Sequence, residues 1–215
     1  MLKKLSPLPK FLSIRYKNWK SSKYINNSKK FKELASKGQN PSTMVISCCD
    51  SRLHVTSILG AKEGDFFVYR NIANLIPAYK KNADNYSILA AIEYGIYQLG
   101  VKHLIILGHR GCGGIKNAHK KFYKTNYKKN FFLDKWLKIL EPAFDNIPRN
   151  ISQKKQINLL EEEGIKISAK NLLNFPNIDK LIKKKSLKIH GLIHDIATGE
   201  LKNYNPVSEE FEKIL

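Results

Sequence analysis

Cysteine, arginine and long apolar runs are all scarce in this sequence, and each shortage excludes a class of protein. The 215 residues include only three cysteines, too few for the disulfide framework of a small secreted domain. No apolar run approaches the roughly 18 residues that a membrane span requires, and none of signal-peptide length follows the N-terminal lysines. We therefore expect a cytoplasmic protein with no membrane partner.

Arginine is rare although the chain is strongly basic. The formal net charge is +20, yet only five of the 38 basic residues are arginine. Arginine is the residue that recognises bases and phosphates in a bidentate manner, whereas lysine runs such as 128–129 and 183–185 are typical of solvated surface. We therefore expect no specific nucleic-acid partner, although basic surfaces bind phosphate backbones without regard to sequence.

The length and composition are those of one globular domain. Apolar residues make up 42% of the chain, enough for a substantial core, and no internal repeat is visible. Residues 11–38 have a helical pattern with aromatic residues in a lysine-rich background. We predict a single domain over residues 1–215, with a helical arm at 1–38 and a catalytic core at 39–204.

Short apolar runs alternate with helical patterns in the core. The predicted strands are residues 43–48, 65–70, 103–108 and, as an edge strand, 187–196. The predicted helices are residues 85–100, a segment from the glycine-rich turn at 111–114 to residue 122, and parts of 131–185. This alternation predicts an α/β fold, with a mainly parallel sheet of four to five strands flanked by helices.

Soft metal ligands follow two of the predicted strands. SCCDSR (47–52) comes at the end of the first strand and GHRGCGG (108–114) at the end of the third. The carboxyl ends of parallel strands form the site edge of such a sheet, so we expect the two motifs to lie together. Thiolate and imidazole are zinc ligands, and a set of three protein ligands leaves a fourth position for water.

The first motif contains two adjacent cysteines, of which only one is expected to bind metal. Neighbouring side chains on an extended backbone point to opposite sides. If the extended backbone persists beyond residue 46, Cys48, Asp50 and Arg52 share one side. This placement favours Cys48 over Cys49 as the ligand, with Asp50 beside the open coordination position and Arg52 behind it.

The motifs C-x-D-S-R and H-x-x-C-G-G, about sixty residues apart, resemble those of the β-class carbonic anhydrases. The resemblance continues through 64–74 (GDFFVYRNIAN) and 91–94 (AIEY), and weakly through 187–204. It implies a zinc lyase, a carbonate dehydratase that interconverts CO2 and bicarbonate by attack of zinc-bound hydroxide. One Zn2+ per chain would be held by Cys48, His109 and Cys112.

The resemblance also implies roles around the metal. Asp50 and Arg52 would be catalytic, because the carboxylate accepts the hydroxide's hydrogen bond while the guanidinium keeps that carboxylate ionised and oriented. The predicted substrate-binding residues are Gln39, Phe67, Ile72, Tyr86 and Gly113. The apolar members of this set suit an uncharged linear molecule. Arg110 stands where we expect serine or threonine, which leaves the local pocket shape open.

Quaternary structure and regulation are further implications of the resemblance. We expect a homodimer or dimer-based oligomer in which the helical arm packs over a partner subunit. Some bacterial members place the motif aspartate on zinc in a closed resting state, which bicarbonate favours by binding a tryptophan, an arginine and a tyrosine. Those positions are Val45, Arg70 and His194 here. With two of three changed, we expect Asp50 to stay paired with Arg52, and to bind metal only if a closed resting state exists.

Two alternative functions remain open. Hydrolysis of CS2 or COS would use the same metal site, and the motifs cannot separate these substrates from CO2. A non-catalytic, zinc-stabilised basic binding protein would leave the open coordination position and the Asp50–Arg52 pair unexplained. We therefore favour the carbonic anhydrase function.

Overall fold

The computed structural model describes residues 5–80 and 86–214, without the side chain of Tyr86. The chain divides into two units, which meet in sequence between Asn40 and Pro41. Among the described residues, none of the helices has both the length and the apolar character to cross a lipid bilayer.

The first unit is helical, as predicted. It consists of α1 (Lys10–Trp19), a π-helical segment (Lys20–Tyr24) and α2 (Ser28–Lys37). No residue of these three segments is buried. Their aromatic side chains contact one another instead, with ring centroids 5.6 Å apart for Trp19 and Tyr24 and 5.3 Å apart for Tyr24 and Phe31. Packing of this arm over a partner subunit stays a prediction.

The second unit is built on a six-stranded sheet. Its strands are β1 (Thr43–Cys48), β2 (Phe66–Asn71), β3 (His103–His109), β4 (Lys188–His194), β5 (Leu201–Asn205) and β6 (Glu210–Lys213). They lie in the order β2-β1-β3-β4-β5-β6. The first four run parallel to one another, and β5 and β6 are added antiparallel. The predicted mainly parallel α/β sheet is confirmed.

Two details of the predicted sheet differ from the structure. There are six strands rather than four to five, and β4 is an interior strand between β3 and β5 rather than an edge strand. The cause is the hairpin of β5 and β6, which pairs with β4 through Leu192 and Asn203. Both hairpin strands are short and largely polar, so no apolar run indicated them.

Helices flank the parallel part of the sheet. They are α3 (Val55–Ile58), α4 (Tyr86–Glu93), α5 (Gly113–Phe122), α6 (Phe131–Leu137), α7 (Gln153–Leu173) and α8 (Ile178–Lys183). All of them except the short α3 lie in the predicted regions. The longest, α7, has 21 residues and begins at Ser152, whose hydroxyl accepts the Lys155 N–H as an N-cap. It contacts β3, β4 and α5, and thus connects the sheet to the helix that follows the second motif.

The central strands are buried on both faces. Every residue of β1 is buried, with Met44 and Ile46 in one apolar cluster and Val45 in a second. Continuous apolar runs of this kind are typical of parallel strands covered by helices on both sides. Because β1 and β3 pair in parallel from Thr43 and His103 onward, both strands end at the same edge of the sheet.

Candidate metal centre

Cys48, His109 and Cys112 come together at this edge. Cys48 is the last residue of β1, His109 is the last residue of β3, and Cys112 immediately precedes α5. All three side chains are buried, and their candidate ligand atoms lie within 4.8 Å of one another. The parallel pairing of two strands, followed by a tight turn at Gly111, therefore assembles the three residues that the motifs predicted as ligands.

The geometry of the cluster fits zinc. The two Sγ atoms are 3.8 Å apart, and two thiolates bound tetrahedrally at the usual zinc–sulfur distance would lie about 3.8 Å apart. His109 Nδ1 lies 3.0 Å from the main-chain oxygen of Arg110, which can only accept, so Nδ1 carries the proton. Nε2 then carries a free electron pair, and this atom is buried without a hydrogen-bond partner. A ligating histidine is commonly oriented in this way.

The two thiols share their protons unequally. A hydrogen bond with Cys112 lowers the pKa of Cys48, against the opposing effect of burial. The same bond, together with burial, raises the pKa of Cys112. Burial opposes protonation of His109, but the neighbouring Cys48 thiolate raises the pKa of His109. The cluster is thus a negative site in a buried environment, and binding of a cation would release protons from it.

Cys49 takes no part in this cluster. Its side chain is exposed, and its main-chain N–H donates to the carbonyl of Asn71 at 2.8 Å. The adjacent cysteines therefore diverge, as the strand geometry predicted.

Asp50 lies beside the cluster and is held by Arg52. The guanidinium donates from Nε to Oδ1 at 2.9 Å and from Nη2 to Oδ2 at 2.7 Å. These bonds from Arg52 are the main reason why the pKa of Asp50 lies well below its usual range. Asp50 Oδ2 is 3.8 Å from the free Nε2 of His109. An ionised carboxylate therefore lies beside the imidazole of the cluster.

The backbone reaches this arrangement by a turn rather than by an extended segment. The Leu53 N–H donates to the main-chain oxygen of Asp50 at 3.0 Å, and the Arg52 N–H donates to Asp50 Oδ1 at 3.0 Å. Aspartate side chains favour such turns because they accept an N–H two residues ahead. The expectation of shared sides on an extended strand is thus wrong beyond Cys48, although Asp50 and Arg52 still meet.

Two of the predicted substrate-binding residues lie at the second motif: Gly113 is part of it, and Ile72 is next to it. A Cβ atom added to Gly114 would meet Ile72 Cγ2 at 2.7 Å, so Ile72 packs directly against the start of α5. A Cβ atom on Gly113 would have no neighbour within 4 Å. Open space therefore lies beside Gly113, next to a candidate ligand.

The other predicted pocket residues are placed differently. Phe67 pairs in register with Met44, four residues before Cys48 and hence about 13 Å away along the strand. Its ring contacts that of Tyr94, with centroids 5.7 Å apart. Gln39 belongs to the first unit, and the side chain of Tyr86 lies outside the described residues. The resemblance implies that Phe67 and Tyr86, with Ile72, line a pocket at a subunit boundary and that Gln39 helps to hold substrate near the metal. These roles stay predictions.

Arg110 is bound to α7. Its Nη1 donates to the main-chain oxygen of Asn158 at 2.7 Å, and its Nη2 pairs with Glu162. A buried carboxylate beside it, Glu161, accepts the Cys112 N–H at 3.0 Å. The sequence reasoning missed Glu161, which is one of three consecutive glutamates without a distinguishing pattern.

Comparison with known proteins places this site in a family. A sequence model described as carbonic anhydrase matches residues 43–201. Beta carbonic anhydrase 3 of Arabidopsis thaliana is 34% identical over 85% of this chain and 71% of its own length. The solved β-carbonic anhydrase CcaA superposes with a TM-score of 0.84 at 28% identity, covering 95% of this chain and 91% of that one.

A second set of solved structures agrees. One of two tetrameric β-carbonic anhydrases from Sordaria macrospora is 31% identical, with a TM-score of 0.77 over 90% of this chain and 94% of its own. The chain belongs to the β-class carbonic anhydrase family.

Proposed function

We propose that this protein binds one Zn2+ per chain through Cys48, His109 and Cys112 and interconverts CO2 and bicarbonate as a zinc lyase. The observation that carries the proposal is the buried set of two thiols and one imidazole, whose free Nε2 faces the ionised Asp50. Three protein ligands are the number found in catalytic zinc sites, where a fourth position is left for water or substrate.

The protein's own groups account for the rest of the chemistry. Zinc bound at this site would supply a Lewis acid that makes water nucleophilic near neutral pH. Asp50 accepts a hydrogen bond from the attacking water and orients its lone pair toward the carbon of CO2. Arg52 keeps that carboxylate ionised and fixes its direction through two parallel hydrogen bonds.

Open space beside Gly113 supports a substrate position next to the second motif. CO2 is uncharged and linear, and the apolar side chain of Ile72 packs against the adjacent Gly114. By the resemblance to the family, Phe67, Ile72 and Tyr86 would line an apolar pocket at a subunit boundary, and Gln39 would help to hold substrate near the metal. The tetrameric state of the Sordaria macrospora enzymes supports a dimer-based oligomer.

The test is zinc stoichiometry measured together with CO2 hydration on the purified protein. We expect one zinc per chain, loss of hydration on removal of zinc by a chelator, and recovery when zinc is returned. Turnover of CO2, CS2 and COS should be measured side by side on the same sample. A zinc-loaded protein that hydrolyses CS2 or COS and leaves CO2 unchanged would refute the proposed substrate, and a zinc-free active protein would refute the proposed metal.

A further inference from the structure

The loop between His109 and Cys112 is attached to α7 by side chains that the chemistry above does not use. Glu161 Oε1 accepts the main-chain N–H of Cys112 at 3.0 Å. Arg110 Nη1 donates to the main-chain oxygen of Asn158 at 2.7 Å and lies 3.5 Å from Glu161 Oε2. Both attachments connect this four-residue loop to one rigid helix, across about fifty residues of sequence.

Glu161 is an unusual residue to find at this position. Its side chain is only 1% exposed, and a buried carboxylate is destabilising unless it is paired and hydrogen-bonded. The Cys112 N–H and the Arg110 guanidinium are the partners that the structure supplies, and the Arg110 side chain is itself mostly buried, at 19% exposed. Arg110 therefore places a positive charge beside the Glu161 carboxylate, and it also pairs with the neighbouring Glu162.

Arg110 also orients the histidine ligand. Its main-chain oxygen accepts the Nδ1–H of His109 at 3.0 Å, and its own N–H donates to the main-chain oxygen of His194 on β4 at 2.8 Å. Arg110 thus sets the tautomer of His109 through its main-chain oxygen. Its side chain contacts Glu161, the residue that accepts the Cys112 N–H. An outer-shell partner of this kind acts on both ligands of the second motif.

We propose that Glu161 is a positioning residue for the metal ligand Cys112, and that Arg110 is the counter-ion that allows its carboxylate to remain buried there. The inference rests on the proposed function only in assuming that zinc occupies the Cys48, His109 and Cys112 site. The pairing explains why arginine replaces the serine or threonine expected after the histidine. The Arg110 guanidinium is bound to α7, and from there it stabilises the loop between His109 and Cys112.

The first test compares three variants of the full chain: Glu161→Ala, Glu161→Gln and, as matched control, Glu163→Gln. Glu163 lies on the same helix but pairs with Lys166 and Asn146. Zinc affinity is measured by competition with a chelator. We expect Glu161→Ala to weaken it by about 10- to 100-fold, as outer-shell changes typically do. Glu161→Gln, which keeps an oxygen acceptor, should lose less affinity than Glu161→Ala, and Glu163→Gln should match the original protein.

Cobalt substitution supplies a readout that a purely structural role would not change. The thiolate-to-cobalt absorption reports the geometry of the bound cysteines. We expect an altered band in Glu161→Ala, an almost unchanged one in Glu161→Gln, and the original spectrum in Glu163→Gln. The melting temperature of each metal-free protein separates a change in the site from a general loss of stability.

The second test is a double-mutant cycle with Arg110→Ser and Glu161→Gln. Arg110→Ser leaves the buried Glu161 carboxylate without its guanidinium, and Glu161→Gln puts an amide in place of one of the two carboxylates that face the guanidinium, with Glu162 unchanged. Combining them removes both charges, so the double variant should lose less zinc affinity than the product of the two single losses.

Three outcomes would overturn the inference while leaving the proposed function intact. These are additive losses in the cycle, equal zinc affinity of Glu161→Ala and the original protein, or an unchanged cobalt spectrum in Glu161→Ala. Failure of the original protein to bind zinc would instead refute the proposed function. Because Glu161→Gln is nearly the same size as the original, it tests the idea even if Glu161→Ala does not fold.

Discussion

The guanidinium of Arg70 donates to the main-chain oxygen of Cys48, the first candidate zinc ligand, at 2.9 Å. It also donates to the main-chain oxygens of Asp50 at 2.8 Å and Leu53 at 3.0 Å. Arg70 on β2 therefore holds the turn that carries Asp50 in place. Binding an anion instead would require it to leave these three carbonyl groups, which bears on how the enzyme responds to bicarbonate.

We predict that bicarbonate does not switch this enzyme off. Val45 is fully buried in the core and offers no N–H, His194 replaces a tyrosine, and Arg70 is engaged with the motif backbone. Hydration is measured against added bicarbonate at mildly alkaline pH and constant ionic strength, with correction for the reverse reaction. We expect the hydration rate to depend hyperbolically on the bicarbonate concentration. Sigmoidal loss of activity, or a crystal structure with Asp50 on the metal, would contradict the prediction.

Each candidate ligand should be indispensable for zinc binding. Cys48→Ser, His109→Ala and Cys112→Ser each remove one of only three protein ligands, so each variant should hold far less than one zinc per chain and lose hydration. Cys49→Ser is the control, because that thiol is exposed and outside the cluster. Metal analysis and hydration are measured on the same samples. A dispensable Cys48 with an essential Cys49 would reverse the ligand assignment.

Asp50 and Arg52 should affect turnover more than metal content. Asp50→Asn and Arg52→Ala are expected to keep one zinc per chain, because neither residue is a proposed ligand of the active form. Their hydration should fall by at least about 10-fold, since outer-shell partners tune reactivity. Arg52→Ala with normal kcat would show that the ion pair is structural only.

The pH dependence of hydration should not come from Asp50. Because its folded pKa is lowered, mainly by Arg52, the stability that the pair adds is present above the unfolded carboxyl value of about 4. It is lost only as pH falls further, through the folded value. Between about pH 6 and pH 9 the Asp50 carboxylate stays ionised. Any change of hydration rate in this range therefore comes from the titration of another group.

We expect hydration to rise toward alkaline pH, because two thiolates neutralise the metal's charge and acidify bound water less than neutral imidazoles would. The measurement is kcat/KM against pH for the original protein and for Asp50→Asn. The Asp50→Asn variant should have a lower kcat/KM at every pH, and the pH at the midpoint of its profile should be unchanged. A shift of the midpoint in Asp50→Asn would show that Asp50 contributes to the titration.

An oligomer is predicted from the arm and from the pocket. The helices of the arm contain no buried residue, and several of its large apolar side chains are exposed, including Leu5, Leu8 and Phe11. Sedimentation at assay concentration should give a dimer or a multiple of it. A catalytically active monomer would contradict both the arm's proposed packing and the assignment of Phe67 to a shared pocket.

Local sequence was sufficient to predict the parallel core and the cluster of candidate metal ligands. The strand runs are continuous and apolar because helices cover both faces, and the soft ligands stand where two such runs end. Parallel strands end at a common edge, so the meeting of Cys48 with His109 and Cys112 followed from local pattern alone. The alternation of side chains on a strand indicated that only one of Cys48 and Cys49 would join the cluster.

The tertiary structure alone decided the surroundings of those ligands. Glu161 is 49 residues from Cys112 in sequence, and nothing in a run of three glutamates indicates which one is buried against the ligand loop. The position of β4 inside the sheet likewise depends on a polar hairpin that pairs through its backbone. Such contacts depend on how distant segments pack, and the period of a short apolar run carries no information about that packing.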